Sequence, residues 1–250
     1  VRDCNRCEDD LVEPTQRVTP HFQDELAQLK ERLLVMAGEA EEQLRLSMQA
    51  LTDRDHDLAD RVLTGDMSIN SLHLEIDERC FKLLALHQPV ATDLRVIVSA
   101  VKINSDLERI GDFAINIAEA GLRYMQHPPV KPLIDIPHMA EVAQRMLRGA
   151  LRGYIEHDME IAQTVLSQDD ELDALKDQVF RELLTCMLND SSTTEAALDL
   201  VLISRHLERI GDHATNIAEE VIFIASGTDV RHHSREGASG EKPEAASDVT

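Results

Sequence analysis

Apolar residues recur at alternating four- and three-residue steps in two segments that lie 100 residues apart. The apolar positions are Ile103, Leu107, Ile110, Ala114 and Ile117, and then Ile203, Leu207, Ile210, Ala214 and Ile217. At 3.6 residues per turn, this spacing places the apolar side chains of each segment on one face of a helix. The pattern therefore predicts two long helices, each burying a similar seam in a helical bundle.

Proline positions divide the rest of the chain. The stretch 21–127 contains only Pro89, whereas the stretch 128–137 contains four prolines. Because an interior proline breaks a helix, the periodic segments predict three helices before this linker and three after it. Their expected bounds are about 21–52, 55–87 and 90–126, followed by about 138–156, 159–188 and 193–226.

Several residues at the ends of these segments predict where helices begin and stop. Asp55 and Asp158 each precede a periodic run and suit the N-cap position. Ser192 and Glu195 have the spacing of a capping box, which predicts a helix start at Ser192. Gly227 follows the last periodic residue and is expected to end the final helix.

The two halves of the chain are copies of one another. The sequence Leu-Glu-Arg-Ile-Gly-Asp begins at Leu107 and again at Leu207, and segments 57–66 and 160–169 are also similar. Short connections make neighbouring helices antiparallel. We therefore expect an all-α protein of two tandem, duplicated three-helix bundles, at 21–127 and 138–230, joined by a proline-rich linker at 128–137. The segments 1–20 and 231–250 have the composition of disordered tails.

Composition supports helices and excludes several partners. Apolar residues make up 43% of the chain, but only 3% of residues are aromatic and none is Trp, which is typical of helices and disfavours an all-β fold. The chain has 25 Lys and Arg against 47 Asp and Glu, a formal charge of −22. With no basic patch evident in the sequence, this charge predicts binding neither to nucleic acid nor to anionic membranes.

The sequence favours a cytoplasmic protein with no direct membrane insertion. No stretch approaches the roughly 18 uncharged apolar residues that a membrane helix needs, and residues 1–10 carry acids instead of a signal-peptide core. The four cysteines, Cys4, Cys7, Cys80 and Cys186, form no disulfide framework. The single C-x-x-C at Cys4 and Cys7 supplies only half of a zinc site and is interpreted as incidental.

Four acids are the first candidates for chemistry. Glu108 and Asp112 stand four residues apart, and their duplicates are Glu208 and Asp212. This spacing places both carboxylates of a pair on one side of the helix, directed away from the apolar seam. Such a row of carboxylates can gather divalent cations with oxygen ligands.

Local helix stability does not explain this motif. Two like charges at this spacing cost a few tenths of a kcal/mol, and the mid-helix Gly111 and Gly211 cost about 1 kcal/mol each relative to alanine. One explanation is a solvated acidic face, with the glycines allowing close helix packing. The other is that a bound metal ion offsets the repulsion, and the sequence leaves both open.

The preceding helix of each bundle offers a second row of ligand types at three- or four-residue steps. The row contains Asp66, Asn70, His73 and Asp77 in the first bundle, and Asp169, Asp173 and Asp177 in the second. His73 and Asp77 form a plausible imidazole and carboxylate pair for Fe, Zn or Ni. The alternative for His73 is a solvated side chain without a ligand.

Enzymatic functions find little support in the sequence. A di-iron carboxylate oxidase needs Glu-x-x-His pairs, and no Glu here has a His three residues later. No G-x-x-x-x-G-K-[ST] sequence is present, which disfavours a P-loop kinase or NTPase. The alternatives that remain open are a metal-free helical interaction scaffold and histidine phosphotransfer through His73 or His206.

Three motifs together resemble the PhoU family of phosphate-transport accessory regulators. They are the doubled Leu-Glu-Arg-Ile-Gly-Asp sequence, the segment 87–95 and the segment 209–219, and the resemblance covers about residues 21–232. It implies a cytoplasmic, non-enzymatic protein, commonly a homodimer, that signals phosphate sufficiency. Such a protein restrains the phosphate regulon through a membrane sensor histidine kinase. It also damps uptake through the ATPase subunit of the phosphate ABC transporter.

The resemblance also implies metal ligands, because family members bind multinuclear clusters through E(D)-x-x-x-D motifs. Residues that match these motifs are Glu108, Asp112, Glu208, Asp212, Asp173 and Asp177. The first bundle departs from the pattern, since His73 stands where relatives often have an acid before Asp77. The ions expected are divalent or trivalent, such as Fe, Zn, Ni, Mn or Mg. Cys4, Cys7 and the residues after His232 lie outside the resemblance.

The acidic balance leads to two expectations about mechanism. Anion sites need exposed backbone donors or clusters of Arg and Lys, so any phosphate contact is expected to run through carboxylate-bound metal. The acidic faces are also expected to meet basic patches on the kinase and the ATPase, which makes association sensitive to salt.

Overall fold

The computed structural model describes residues 20–65 and 67–228, and these residues are helical with short connections and no strand. The helices are α1 (Pro20–Asp53), α2 (His56–Thr64), α3 (Met67–His87), α4 (Ala91–Tyr124), α5 (Asp135–Glu156), α6 (Met159–Ser167), α7 (Asp169–Asn189) and α8 (Thr194–Ser226). One turn of 3-10 helix, Ser191–Thr193, precedes α8. Apart from Pro20, the expected tails at 1–20 and 231–250, with Cys4 and Cys7, lie outside the described residues.

Helices α1 to α4 pack as one bundle, and α5 to α8 pack as a second bundle of the same design. In each, the short second helix and the longer third one together make the middle member, which confirms the expected duplicated all-α fold. Helix α4 of the first bundle also lies along α8 of the second. None of the described helices combines the length and apolar character needed to cross a membrane.

The predicted apolar seams form the centre of the core. All ten seam residues, from Ile103 to Ile117 on α4 and from Ile203 to Ile217 on α8, are 0% exposed. Burying each large aliphatic side chain contributes roughly 1.5–3 kcal/mol. Because α4 and α8 also contact each other, the two bundle interiors join into one apolar cluster.

Two of the predicted N-caps and the predicted stop are confirmed. The Asp55 carboxylate accepts a hydrogen bond from the Leu58 backbone N–H at 2.9 Å, at the start of α2. Asp158 does the same for α6, accepting from the N–H of Glu160 at 2.8 Å. Gly227 ends α8 with φ of +73°, in the left-handed region that glycine adopts without strain.

The capping box predicted at Ser192 is wrong. Asp190 takes that role, because its carboxylate accepts hydrogen bonds from the backbone N–H of Ser192 at 2.9 Å and from its hydroxyl at 2.7 Å. The result is a 3-10 turn, and α8 begins only afterwards, at Thr194, without a side-chain cap. An aspartate two residues upstream thus caps the 3-10 turn, and the chain enters α8 through that turn and not through a cap at Ser192.

The long middle helices predicted at 55–87 and 159–188 are each divided in two. In the first bundle the Gly65 N–H bonds to the Val62 carbonyl at 3.0 Å, a three-residue step that tightens the turn. The Gln43 side chain on α1 donates to the Gly65 carbonyl at 3.2 Å and so satisfies it. In the second bundle the Gln168 N–H bonds to the Val165 carbonyl at 3.0 Å.

The mid-helix glycines allow close helix packing, as one of the two sequence explanations expected. A Cβ on Gly111 would lie 2.8 Å from Cδ1 of Ile69 on α3. A Cβ on Gly211 would lie 2.3 Å from Cδ2 of Leu172 on α7. Each acidic motif is therefore held tightly against the first turns of the preceding helix.

Buried polar contacts hold the two bundles together along α4 and α8. The Glu220 carboxylate, whose side chain is 4% exposed, accepts hydrogen bonds from the Ser99 hydroxyl and from Lys102 Nζ, both at 2.8 Å. Further along the contact, Arg123 Nε lies 2.9 Å from the Asp199 carboxylate. These bonds fix the antiparallel register of α4 and α8.

Candidate metal sites on the two bundles

A lysine lies between the candidate carboxylates of the second bundle. Lys176 Nζ is 3.0 Å from Asp173 Oδ1, 3.2 Å from Glu208 Oε1 and 3.9 Å from Asp177 Oδ1. Partial burial acts to lower the pKa of Lys176, but the hydrogen bonds to Asp173 and Glu208 outweigh it and raise that pKa to about 12. A fixed positive charge therefore bridges α7 and α8 at the place where the sequence predicts a metal ion.

This single lysine does not neutralise the acids around it. The pKa of Asp212 is raised to about 6. Burial of its carboxyl group is the largest cause, and repulsion from Glu208, Asp169 and Asp173 adds to it. Burial and the charge of Asp173 also raise the pKa of Asp169. The second bundle thus presents a group of oxygen donors whose negative charge exceeds the counter-charge supplied by the protein.

In the first bundle a histidine takes the central position. His73 Nε2 lies 3.6 Å from Asp77 Oδ2. The Asn104 amide donates to Asp77 Oδ1 at 2.9 Å and to the His73 carbonyl at 3.0 Å, which ties α3 to α4. His73 Nδ1 is buried and has no hydrogen-bond partner among the described residues.

Glu108 and Asp112 lie on the outer side of α4, as predicted. Their side chains are 23% and 34% exposed, and Arg109 lies 3.6 Å from Glu108 and 3.0 Å from Asp112. Because Ile69 meets Gly111 and Asp77 meets Asn104, α3 and α4 run antiparallel, and His73 is level with Glu108. The two candidate rows of this bundle therefore share one surface.

The packing also establishes which residues of the two copies are equivalent. The contact of Ile69 with Gly111 corresponds to that of Leu172 with Gly211. Helices α3 and α7 therefore match with an offset of 103 residues, and α4 and α8 match with an offset of 100. His73 is therefore the counterpart of Lys176 and not of an acid. The counterpart of Asp173 is Asn70, and Asp66, the counterpart of Asp169, lies outside the described residues.

Donor chemistry at both sites fits a cation, although the side chains do not form a ready coordination shell. Within residues 20–65 and 67–228, no three His, Cys, Asp or Glu side chains are arranged to hold a metal ion. Two features favour a bound cation: the excess of carboxylates around Asp212 and the unpaired Nδ1 of His73. Metal binding thus stays a prediction. In the second bundle it would require Lys176 to move away from Asp173 and Glu208.

The sequence interpretation did not single out Lys176 or Asn104. Lys176 lies three residues after Asp173 on the same helix face, a spacing typical of ion pairs, and this signal could have identified it. Asn104 lies on the seam side of α4, and only the packing of α3 shows that its amide reaches Asp77.

Comparisons with known proteins agree on one family. The chain matches the PhoU domain family over residues 33–121 and 136–221. It is 39% identical to the phosphate-specific transport system accessory protein PhoU homolog of Caulobacter vibrioides, over 86% of this chain and 94% of that one. Identity to the Pseudomonas aeruginosa homolog is 37%, over 87% and 90% of the two chains.

Solved structures give the same result. The crystal structure of PhoU from Pseudomonas aeruginosa superposes with a TM-score of 0.80 at 37% identity, covering 83% of this chain and all of that one. The phosphate transport system regulatory protein PhoU from Streptococcus pneumoniae gives a TM-score of 0.77 at 27% identity, covering 84% and 99%. The two matched PhoU domains coincide with the two helical bundles, and the chain belongs to the PhoU family.

Proposed function

We propose that this protein is a non-enzymatic accessory regulator of phosphate-specific transport. In this role it restrains phosphate uptake and keeps the phosphate regulon repressed when phosphate is plentiful. The observation that carries the proposal is family membership over most of both chains, at 39% identity to an accessory protein of that transport system. The duplicated acidic surfaces described above supply the features through which it would act.

The proposed partners are a phosphate-responsive sensor histidine kinase and the ATPase subunit of a phosphate ABC transporter, both met in the cytoplasm by a homodimer. A charge of −22 favours basic patches on those partners. Because salt screens such attraction, association should weaken as ionic strength rises. Binding of the purified chain to kinase or ATPase that is unchanged between low and high salt would count against acidic docking faces.

Metal ions are the proposed cofactors of these surfaces. In the second bundle the ligands would come from Asp173, Asp177, Glu208 and Asp212, all of them oxygen donors suited to Mg, Mn or Fe. In the first bundle His73 adds a nitrogen donor to Asp77, Glu108 and Asp112, which also suits Zn or Ni. A bound ion would neutralise the carboxylates and link the two helices that carry them.

A gene deletion tests the regulatory role. In phosphate-replete cells that lack this protein, phosphate-starvation genes should be expressed, and the wild-type gene supplied in trans should repress them again. A variant carrying Glu108→Ala and Glu208→Ala, matched with the exposed control Glu141→Ala, tests the acidic surfaces in the same cells. Starvation genes that stay repressed after the deletion would contradict the proposal.

A further inference from the structure

The two copies of the duplicated motif differ most in the three residues before Leu107 and Leu207. The first copy reads Asn-Ser-Asp at 104–106, whereas the second reads Ser-Arg-His at 204–206. The second copy thus loses an acid and gains an arginine and a histidine. Since α4 and α8 pack antiparallel, position 106 faces His213, and position 206 faces Phe113 about two helical turns further along the same contact.

Around position 106, the polar side chains of the contact are paired with one another. Asp106 Oδ1 lies 2.7 Å from His213 Nδ1 and accepts a hydrogen bond from the Asn216 amide at 3.2 Å. The Asp106 and His213 side chains are largely buried, at 15% and 19% exposed. This part of the contact offers no unpaired arginine or lysine to a ligand.

Around position 206, two arginines lack an acidic partner. The His206 ring stacks on Phe113 with centroids 5.7 Å apart, and the Arg209 guanidinium lies 5.1 Å above the same Phe113 ring. Among residues 20–65 and 67–228, no carboxylate lies within ion-pair distance of Arg205 or Arg209, although Arg205 lines one pocket with Asp177 and Glu208. Arg109, the counterpart of Arg209 in the first copy, is paired with Asp112 at 3.0 Å.

A third arginine extends this positive surface. Arg123 on α4 uses its Nε to bind Asp199 at 2.9 Å, while its side chain is 50% exposed. The pKa of His206 is lowered, mainly by burial of its ring and further by the charges of Arg209, Arg205 and Arg123. The charges of all three guanidinium groups therefore act on one half-buried ring, in a chain whose overall charge is −22.

We propose that Arg205 and Arg209, assisted by Arg123, bind a small tetrahedral oxyanion of the inorganic phosphate type. Guanidinium groups present paired N–H donors that match the oxygens of such an anion, and these charge-assisted bonds are stronger than neutral ones. Phe113 fixes the position of Arg209, so that less freedom is lost on binding. The site gives the proposed regulator a direct contact with phosphate and replaces the expectation that any such contact must run through metal.

A calorimetric titration of the full chain tests this site. Protein treated with chelator is titrated at low ionic strength with inorganic phosphate and, separately, with sulfate, which has the same shape. Substituting both arginines, as Arg205→Gln and Arg209→Gln, should weaken binding of each anion about tenfold or more. The two side chains are exposed and glutamine keeps the helix propensity, so the fold should be unaffected.

Matched controls separate a specific site from general attraction to positive charge. Arg145→Gln removes an exposed arginine of the same bundle that is already paired with Glu171 at 3.0 Å, and it should leave anion affinity unchanged. Glu208→Gln should not weaken binding, because no metal takes part. Loss of binding on chelation, or equal affinities in wild type and the double variant, would overturn the proposal. Either of these results would leave the regulatory role untouched, since the deletion experiment measures that role separately.

Discussion

Replacing Gly211 with alanine tests the close approach of α7 to α8 on which the second acidic site depends. The new Cβ would lie 2.3 Å from Cδ2 of Leu172, a side chain that is only 1% exposed and packed in the core. Leu172 must therefore change rotamer, or α7 must move away from α8. Gly38, in the middle of α1, is the matched control, because a Cβ there meets nothing within 4 Å.

The expected magnitudes follow from two opposing effects. Alanine in a helix interior gains about 1 kcal/mol over glycine, and at Gly38 this gain should be realised in full. At Gly211 the overpacking costs roughly 1–3 kcal/mol, which cancels the gain or exceeds it by up to about 2 kcal/mol. The two variants should therefore differ in unfolding free energy by about 1–3 kcal/mol, although their chemical change is identical.

Thermal and urea unfolding of the two variants measure this difference directly. For a chain of this size 1 kcal/mol corresponds to about 2–4 °C in Tm, so Gly38→Ala should unfold a few degrees above wild type and Gly211→Ala at or below it. If Gly211→Ala were stabilised as much as Gly38→Ala, the tight contact between α7 and α8 would not exist. The assigned equivalence of the two copies would then lose its basis.

Three further substitutions test the acidic cluster, the contact between bundles and a helix cap, each by urea unfolding. Asp212→Asn should stabilise the protein at pH 7 by up to about 1 kcal/mol, a value reduced for solvent screening. The folded-state pKa of Asp212 is raised from 3.8 to about 6, so the wild type gains stability as pH falls through 6 and the advantage of the variant should vanish near pH 4. Lys102→Met should cost about 1–3 kcal/mol, because the buried Glu220 carboxylate keeps its bond from Ser99 but loses the one from Lys102. A loss of only about 0–1 kcal/mol, typical of surface pairs, would argue against the contact. Asp158→Ala should cost about 1 kcal/mol through the lost cap of α6, and an unchanged unfolding midpoint would contradict that assignment.

The fold could be predicted because its main determinants are periodic and local. The seams on α4 and α8 follow from residue spacing alone, and caps such as Asp55 depend on a side chain only a few residues from its backbone partner. The breaks at Gly65 and Gln168 could not be seen in the periodicity, because their dihedral angles stay close to helical values. At Gly65 the carbonyl accepts from the nearby Ser68 hydroxyl and also from Gln43, which comes from another helix.

The candidate sites were predicted less completely, because the net charge of the whole chain does not show where individual charged side chains lie on its surface. The acids Glu208 and Asp212 follow from the repeated motif, but the position of Lys176 between two helices depends on how α7 packs on α8. A total of −22 also concealed the local positive surface at Arg205 and Arg209. Comparing the two copies residue by residue would have revealed that surface.

Metal affinity of the second bundle tests most directly whether its acids form a cation site that Lys176 occupies in the absence of metal. Manganese is titrated calorimetrically into chelator-stripped wild type, Lys176→Met and Glu208→Gln. Removing the competing ammonium should tighten manganese binding about tenfold, since an ammonium bound to two carboxylates must first be displaced. Removing the Glu208 carboxylate should weaken or abolish binding. Equal affinity in all three proteins, or no binding by any of them, would contradict the account.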